Sequence, residues 1–177
     1  MSTTKWALDP THSELQFKVK HLMITTVTGN FKSFTASVET EGDNFDTAKI
    51  DFSAEVSSIE SGNEQRDGHL KSVEFFEEEK FPTITFTSTK LEKINEENYM
   101  LHGDLTIKGI SIPVSIPTEF GGIAKDPWGN IKAGFTLNGK ISRKDWDLNW
   151  NAALETGGVL VSDEVKIIAE IQVVKQA

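Results

Sequence analysis

Residues 14–21, ELQFKVKH, alternate without a break. Leu15, Phe17, Val19 and His21 fall on one side and Glu14, Gln16, Lys18 and Lys20 on the other. A period of two over eight residues is the pattern of a β-strand with one face buried and one in water. The same reading extends along the chain. Residues 48–56 place Ala48, Ile50, Phe52, Ala54 and Val56 on one face, and 110–120 place Ile110, Ile112, Val114, Ile116 and Phe120. Residues 131–141 and 165–173 repeat it with Phe135 and Leu137, and with Ile167, Ala169 and Ile171. Three further strands are less regular. In 27–38, Phe31 and Phe34 have opposite parity, which predicts a bulge between Gly29 and Ser33. Residues 83–91 carry Ile84 and Phe86, and 98–107 carry Leu101, Leu105 and Ile107.

These segments are joined mostly by short links, the mark of antiparallel neighbours. Eight such strands, each with one apolar face, predict an all-β fold. A closed up-and-down barrel with no exposed edge is the first expectation and a two-sheet sandwich the second. Two connections, 57–82 and 142–164, are too long to be turns and are expected to carry structure or function. Within the first, 64–72 reads as a short helix weakened by Gly68. After it, Phe75-Phe76 beside Glu77-Glu78-Glu79 is a double aromatic in want of burial, which an open barrel mouth would supply.

The chain has 177 residues, enough for one domain spanning 1–177 that buries about 70% of its unfolded surface. It has no cysteine, which excludes disulfides, thiolate metal sites and cysteine nucleophiles. A net charge of −9 argues against nucleic-acid partners and anionic membrane surfaces. No apolar run approaches the length of a transmembrane helix, and the N-terminus MSTTKWALDPTHS lacks a signal-peptide pattern, so a cytoplasmic location is expected.

Little in the chain suggests catalysis. Its four histidines, His12, His21, His69 and His102, show no metal-ligand spacing. There is no GxSxG, GxxxxGK[ST] or GxGxxG motif. Parity turns His21 inward, where it is either a core histidine bonded to a carbonyl or a polar contact for a ligand. Of 18 basic residues only Arg66 and Arg143 are arginine, and both sit at the long connections. Each could lock a barrel end onto a carboxylate, Arg143 onto Asp145 and Arg66 onto one of 77–79, or could grip an anionic head group. The inward set also contains small residues, Ala48, Ala54, Gly103, Ala133, Gly139 and Ala169, which leave room inside a barrel of a size that is either packed solid or holds one ligand.

An ordered set of short motifs points further: Trp6-Ala-Leu-Asp9 with His12-Ser13, Phe17 with His21, Gly29-Asn-Phe31, Arg66-Asp67-Gly-His69-Leu70-Lys-Ser72, Phe75-Phe76, Phe81-Pro82-Thr-Ile-Thr-Phe86, Gly103-Asp-Leu105-Thr106-Ile-Lys-Gly109 and Ser142-Arg143-Lys-Asp-Trp146. In this the chain resembles the YceI-like family of lipocalin-like polyisoprenoid-binding proteins over almost its whole length. The resemblance implies an eight-stranded antiparallel barrel with a helical segment near the mouth. It also implies non-catalytic binding or carriage of a long amphiphilic isoprenoid, a polyprenyl phosphate or an isoprenoid quinone, in an apolar tunnel. Many family members carry a signal peptide, and from the pattern of MSTTKWALDPTHS none is expected here. The expected ligand-binding set is Phe17, Val19, His21, Phe31, Phe52, Arg66, Asp67, His69, Phe75, Phe76, Phe86, Leu105 and Phe135, with His21, Arg66 and His69 toward the head. No metal or cofactor is expected beyond the lipid, and a homodimer stays open. The rival readings are a small hydrolase or isomerase using an inward histidine, and a solid-core barrel serving as an interaction module.

Overall fold

Among the residues described by the computed structural model, 2–151 and 161–177, eleven strand segments follow one another. They are β1 (Thr3–Leu8), β2 (Glu14–His21), β3 (Thr25–Phe31), β4 (Phe34–Glu41), β5 (Asn44–Glu55), β6 (Ile59–Glu60), β7 (Thr83–Lys93), β8 (Asn98–Ile107), β9 (Ile110–Lys125), β10 (Ile131–Ser142) and β11 (Val161–Lys175). One α-helix, α1 (Glu64–Lys71), lies between β6 and β7.

The segments merge into eight staves. β1 and β2 both lie along β11, with Trp6 opposite Lys175 and Phe17 opposite Ile167. They are two halves of one stave, interrupted by a 3-10 turn at Pro10–His12. β3 and β4 face those halves, Phe17 opposite Gly29 and Trp6 opposite Val38, and β6 and β5 face β3 and β4 in turn. From β5 the order runs β7, β8, β9, β10 and β11, and β11 returns to β1. The result is a closed eight-stranded antiparallel barrel with one short helix, not a sandwich.

The local chemistry explains the joints. Asp9 accepts hydrogen bonds from Thr11 N (3.1 Å) and Thr11 Oγ1 (2.8 Å), and Pro10 has no N–H to give a ladder, so alternation stops there. The expected bulge is the break between β3 and β4. Lys32 N reaches Ser58 O (3.1 Å) and Glu55 N reaches Ser33 O (2.9 Å), so both Phe31 and Phe34 pack against the core despite opposite parity. Between β8 and β9, Lys108 (φ 52°) and Gly109 (φ 74°) make a two-residue turn in the left-handed region, the geometry that matches strand twist.

One end of the barrel is closed by aromatic rings. Phe45 lies 5.0 Å from Trp6, 5.4 Å from Phe120 and 5.2 Å from Phe135, and Tyr99 stands edge-on to Phe120 at 6.0 Å, all centroid to centroid. Trp6 is buried and donates Nε1–H to Thr40 Oγ1 at 3.0 Å, so its one polar atom is satisfied. Not every small inward residue leaves space. The Phe86 ring lies where a side chain on Gly103 would go, and a Cβ on Gly139 would meet Ile116 at 3.2 Å.

Asp9 ties the interrupted stave to β10. Its Oδ2 accepts from Lys132 Nζ at 2.7 Å and lies 2.8 Å from His12 Nδ1. The Lys132 hydrogen bond, more than any other contact, holds this carboxyl well below the usual carboxylate range. A depressed folded-state value stabilises the fold above the unfolded carboxylate range, and that stabilisation is lost as pH falls toward the folded value. Asp9→Asn should therefore destabilise the protein at pH 7, and the gap between wild-type and variant urea midpoints should begin to narrow only below about pH 4 and keep narrowing as pH falls further.

Candidate functional site

The interior is not packed solid. A cavity of about 610 Å³ runs through the barrel, within the range of roughly 300–1,000 Å³ usual for small-molecule sites. Its wall is built by the inward positions of the alternating strands: Phe17 and Val19 from β2, Phe52 from β5, Phe86 from β7, Leu105 from β8 and Phe135 from β10 all line it. Ala54 and Ala169, two of the small inward residues, line it as well. Ala48 and Ala133 do not. They are buried outside the cavity lining. The Phe17 ring lies against Gly29 on β3, where any side chain would overlap it.

α1 and its flanks form the other end. Asn63 caps the helix, its Oδ1 accepting from Arg66 N at 3.0 Å. Arg66 donates Nε–H to Ser61 Oγ (2.7 Å) and Nη2–H to Ser61 O (2.6 Å), and Asp67 Oδ1 accepts from Ser61 N (2.8 Å) and Ser61 Oγ (2.5 Å). These contacts hold a helix that Gly68 would otherwise weaken. A turn then folds back: Phe75 N bonds Ser72 O and Phe76 N bonds Leu70 O, both at 3.0 Å. Phe75 is buried and Phe76 stands edge-on to Phe31 at 6.3 Å. His69 stands perpendicular to two rings, Phe75 at 5.0 Å and Trp150 at 4.6 Å, with Nε2 3.6 Å from Glu74.

Twelve of the thirteen residues expected from the sequence line the cavity, among them His21, Phe31, Arg66, His69, Phe75 and Phe76. Asp67 is the exception, because its carboxylate is turned to Ser61. Arg66 likewise bonds Ser61 rather than an acid of 77–79, and among the described residues its Nη1 makes no hydrogen bond. Arg143 does lock a barrel end, but not onto Asp145. It is 3% exposed and donates to four backbone carbonyls: Ser162 (2.9 Å), Leu148 (2.5 Å), Trp150 (2.8 Å) and Val161 (3.3 Å). Asp163 lies 3.8 Å away. Burial pushes the guanidinium pKa down and Asp163 opposes that shift, so the group stays charged. The clamp sets Leu148 and Trp150 into the cavity wall. Neither was expected from the sequence. The only available hint was a tryptophan in a polar stretch after Arg143.

The other two histidines lie away from the cavity. His12 contacts Asp9, and His102 bonds Ser115 Oγ (2.7 Å) and Glu92 Oε1 (3.0 Å). Among the described residues no three His, Asp or Glu side chains converge as a metal-ligand set, and no helix is long and apolar enough to cross a membrane.

An all-β barrel that encloses an apolar cavity, with a helix at one end, has room for a small molecule, and comparison with known proteins gives its family. The YceI-like domain matches residues 6–173, and the chain belongs to that family. It is 39% identical over 170 residues to a UPF0312 protein of Staphylococcus aureus (strain MSSA476), which covers 96% of each chain. Among solved structures it is similar to the Campylobacter jejuni YceI protein, with 34% identity, a TM-score of 0.78 and 89% of this chain and 90% of that one covered. A polyisoprenoid-binding domain from Saccharophagus degradans shares the fold at 16% identity, with a TM-score of 0.75 over 97% of this chain and 98% of that one.

Proposed function

We propose that this protein binds one long amphiphilic lipid without transforming it, an isoprenoid such as a polyprenyl phosphate or an isoprenoid quinone. The tail lies among Phe17, Val19, Phe31, Phe52, Phe86, Leu105 and Phe135, and the head lies near His21, Arg66 and His69. The observation that carries this reading is the polarity gradient. An apolar cavity is sealed by aromatic rings at one end and bordered by Asn63, Arg66 and His69 at the other.

Each buried methylene contributes about 0.8 kcal/mol, so the tail supplies most of the affinity and the head sets orientation. β7 to β11 have 10–16 residues and, at about 3.3 Å per residue and a tilt of about 45°, make a barrel roughly 30 Å tall. A straight eight-unit isoprenoid is longer than that, so its tail folds back or its end protrudes. The family relationship and the polyisoprenoid-binding domain from Saccharophagus degradans support the same class of ligand.

The head-group assignment is tested with Arg66→Ala and two ligands of equal tail length. Arg66 already holds Ser61 through Nε and Nη2, which leaves Nη1 for an anion. A charge-assisted hydrogen bond is worth about 1.5 kcal/mol at such an exposed position, so affinity for the polyprenyl phosphate should fall about tenfold. Affinity for the neutral quinone should hold within about twofold. Equal loss of both would make Arg66 a helix anchor only.

A further inference from the structure

The turn between β2 and β3 is built against the preference of its own residues. Leu22 (φ 55°) and Met23 (φ 58°) both occupy the left-handed region, and Ile24 N closes the turn onto His21 O at 3.2 Å. Leu22 and Met23 are the central residues of this four-residue turn, inside a three-residue loop between the paired His21 and Thr25; a left-handed central pair suits Asn-Gly, and bulky apolar residues are strained in it. The strain holds three apolar side chains outward: Leu22 is 36% exposed, Met23 59% and Ile24 76%. They lie beside His21, which borders the cavity, and Val73, in the turn after α1, is 69% exposed.

A second anomaly lies on the outer wall leading to this tip. Lys140 on β10 is directly opposite Lys166 on β11, and Lys166 is directly opposite Lys18 on β2. Like charges set opposite across strands repel, yet this row sits in a chain of net charge −9. Lys20 is two residues from Leu22. Among the described residues, Glu164 is ion-paired with this row, 3.6 Å from Lys140. At roughly 3.3 Å per residue, Lys20 stands about 7 Å and Lys18 about 13 Å behind the tip. An apolar element that enters a bilayer by roughly 5–10 Å would bring those ammonium groups to the phosphate layer. The overall negative charge does not forbid this, because fields are screened over about 8 Å.

We infer that the Leu22-Met23-Ile24 tip and the Lys18–Lys166–Lys140 row form a docking surface for an anionic lipid bilayer, seating the α1 end of the cavity on the membrane. The inference rests on the reading that the cargo is a membrane amphiphile, which would enter and leave where the tip inserts.

The test uses the full chain and two sets of vesicles, pure phosphatidylcholine and 3:1 phosphatidylcholine to phosphatidylglycerol, with co-sedimentation as the readout. Wild type should bind the anionic vesicles and lose most of that binding in 0.5 M NaCl. The double variant Leu22→Asn/Met23→Gly relieves the turn strain, so its Tm should rise while its vesicle affinity falls about tenfold or more. Lys18→Gln/Lys166→Gln should lower affinity about 25-fold at roughly fivefold per lysine, with the salt dependence reduced. Unchanged vesicle binding in the tip variant would overturn the proposal. So would a dimer that the tip variant abolishes in a protein that binds no vesicles, because the tip would then be a self-association surface. Isoprenoid loaded from ethanol and detected by native mass spectrometry keeps the two readings apart. Loading without vesicle binding overturns the docking surface alone, and vesicle binding without loading overturns the cargo assignment alone.

Discussion

Arg143→Ala is expected to lower the unfolding free energy by about 3–5 kcal/mol, a large share of the roughly 5–15 kcal/mol typical of a domain. The guanidinium is buried and is the donor for the carbonyls of Leu148, Trp150, Val161 and Ser162. Alanine leaves those acceptors without that donor and leaves Asp163, whose buried Oδ1 makes no hydrogen bond among the described residues, with Lys144 as its neighbouring cation. Lysine should recover only part of the loss, since one ammonium cannot span four carbonyls set around a planar fork. Urea unfolding measures both variants, and a loss under about 1 kcal/mol for alanine would mean that this lock is dispensable. Because the clamp also sets Leu148 and Trp150 into the cavity wall, ligand affinity should fall with stability.

Ala169→Phe should do the opposite, abolishing binding while sparing the fold. Ala169 lines the cavity from β11, opposite Leu137 and Leu15 on its neighbouring strands. A phenyl group there would displace about four methylenes of a lipid tail, or about 3 kcal/mol, so affinity should fall about 100-fold. In a solid core the added ring would cost about 1–3 kcal/mol of stability. With about 610 Å³ of open space beside it, the change should be under about 1 kcal/mol. Isothermal titration with an isoprenoid quinone, run beside thermal unfolding, separates the two effects. Lost stability with intact binding would show that this part of the interior does not hold the tail.

The barrel was legible because each half-buried stave writes a period of two. Phe17 and Val19, Phe52 and Ala54, and Phe135 and Leu137 could be placed on the inner wall by counting parity. Even the bulge before Phe34 was visible, since two phenylalanines of opposite parity cannot face one core along a regular strand. β1 was missed because its six residues are cut off by Asp9-Pro10, which ends the alternation before it can declare itself. The mouth was legible in composition and not in contacts. Phe75-Phe76 belonged in an apolar place, but nothing local shows that His69 would stand between Phe75 and Trp150, a contact spanning some eighty residues of chain and fixed by Arg143. The arginines are the same case. Arg143 is buried and bonds backbone carbonyls, and the exposed Arg66 bonds Ser61, acceptors that no pattern of neighbouring carboxylates in the sequence marks.

The central claim is that the barrel holds one apolar-tailed amphiphile. Native mass spectrometry of the full chain, incubated with an eight-unit isoprenoid quinone and then freed of excess lipid, tests it directly. The expected spectrum shows the protein carrying one lipid mass, with that species strongly depleted in Ala169→Phe. A spectrum of unliganded protein alone, or adducts of variable number that Ala169→Phe leaves unchanged, would contradict it.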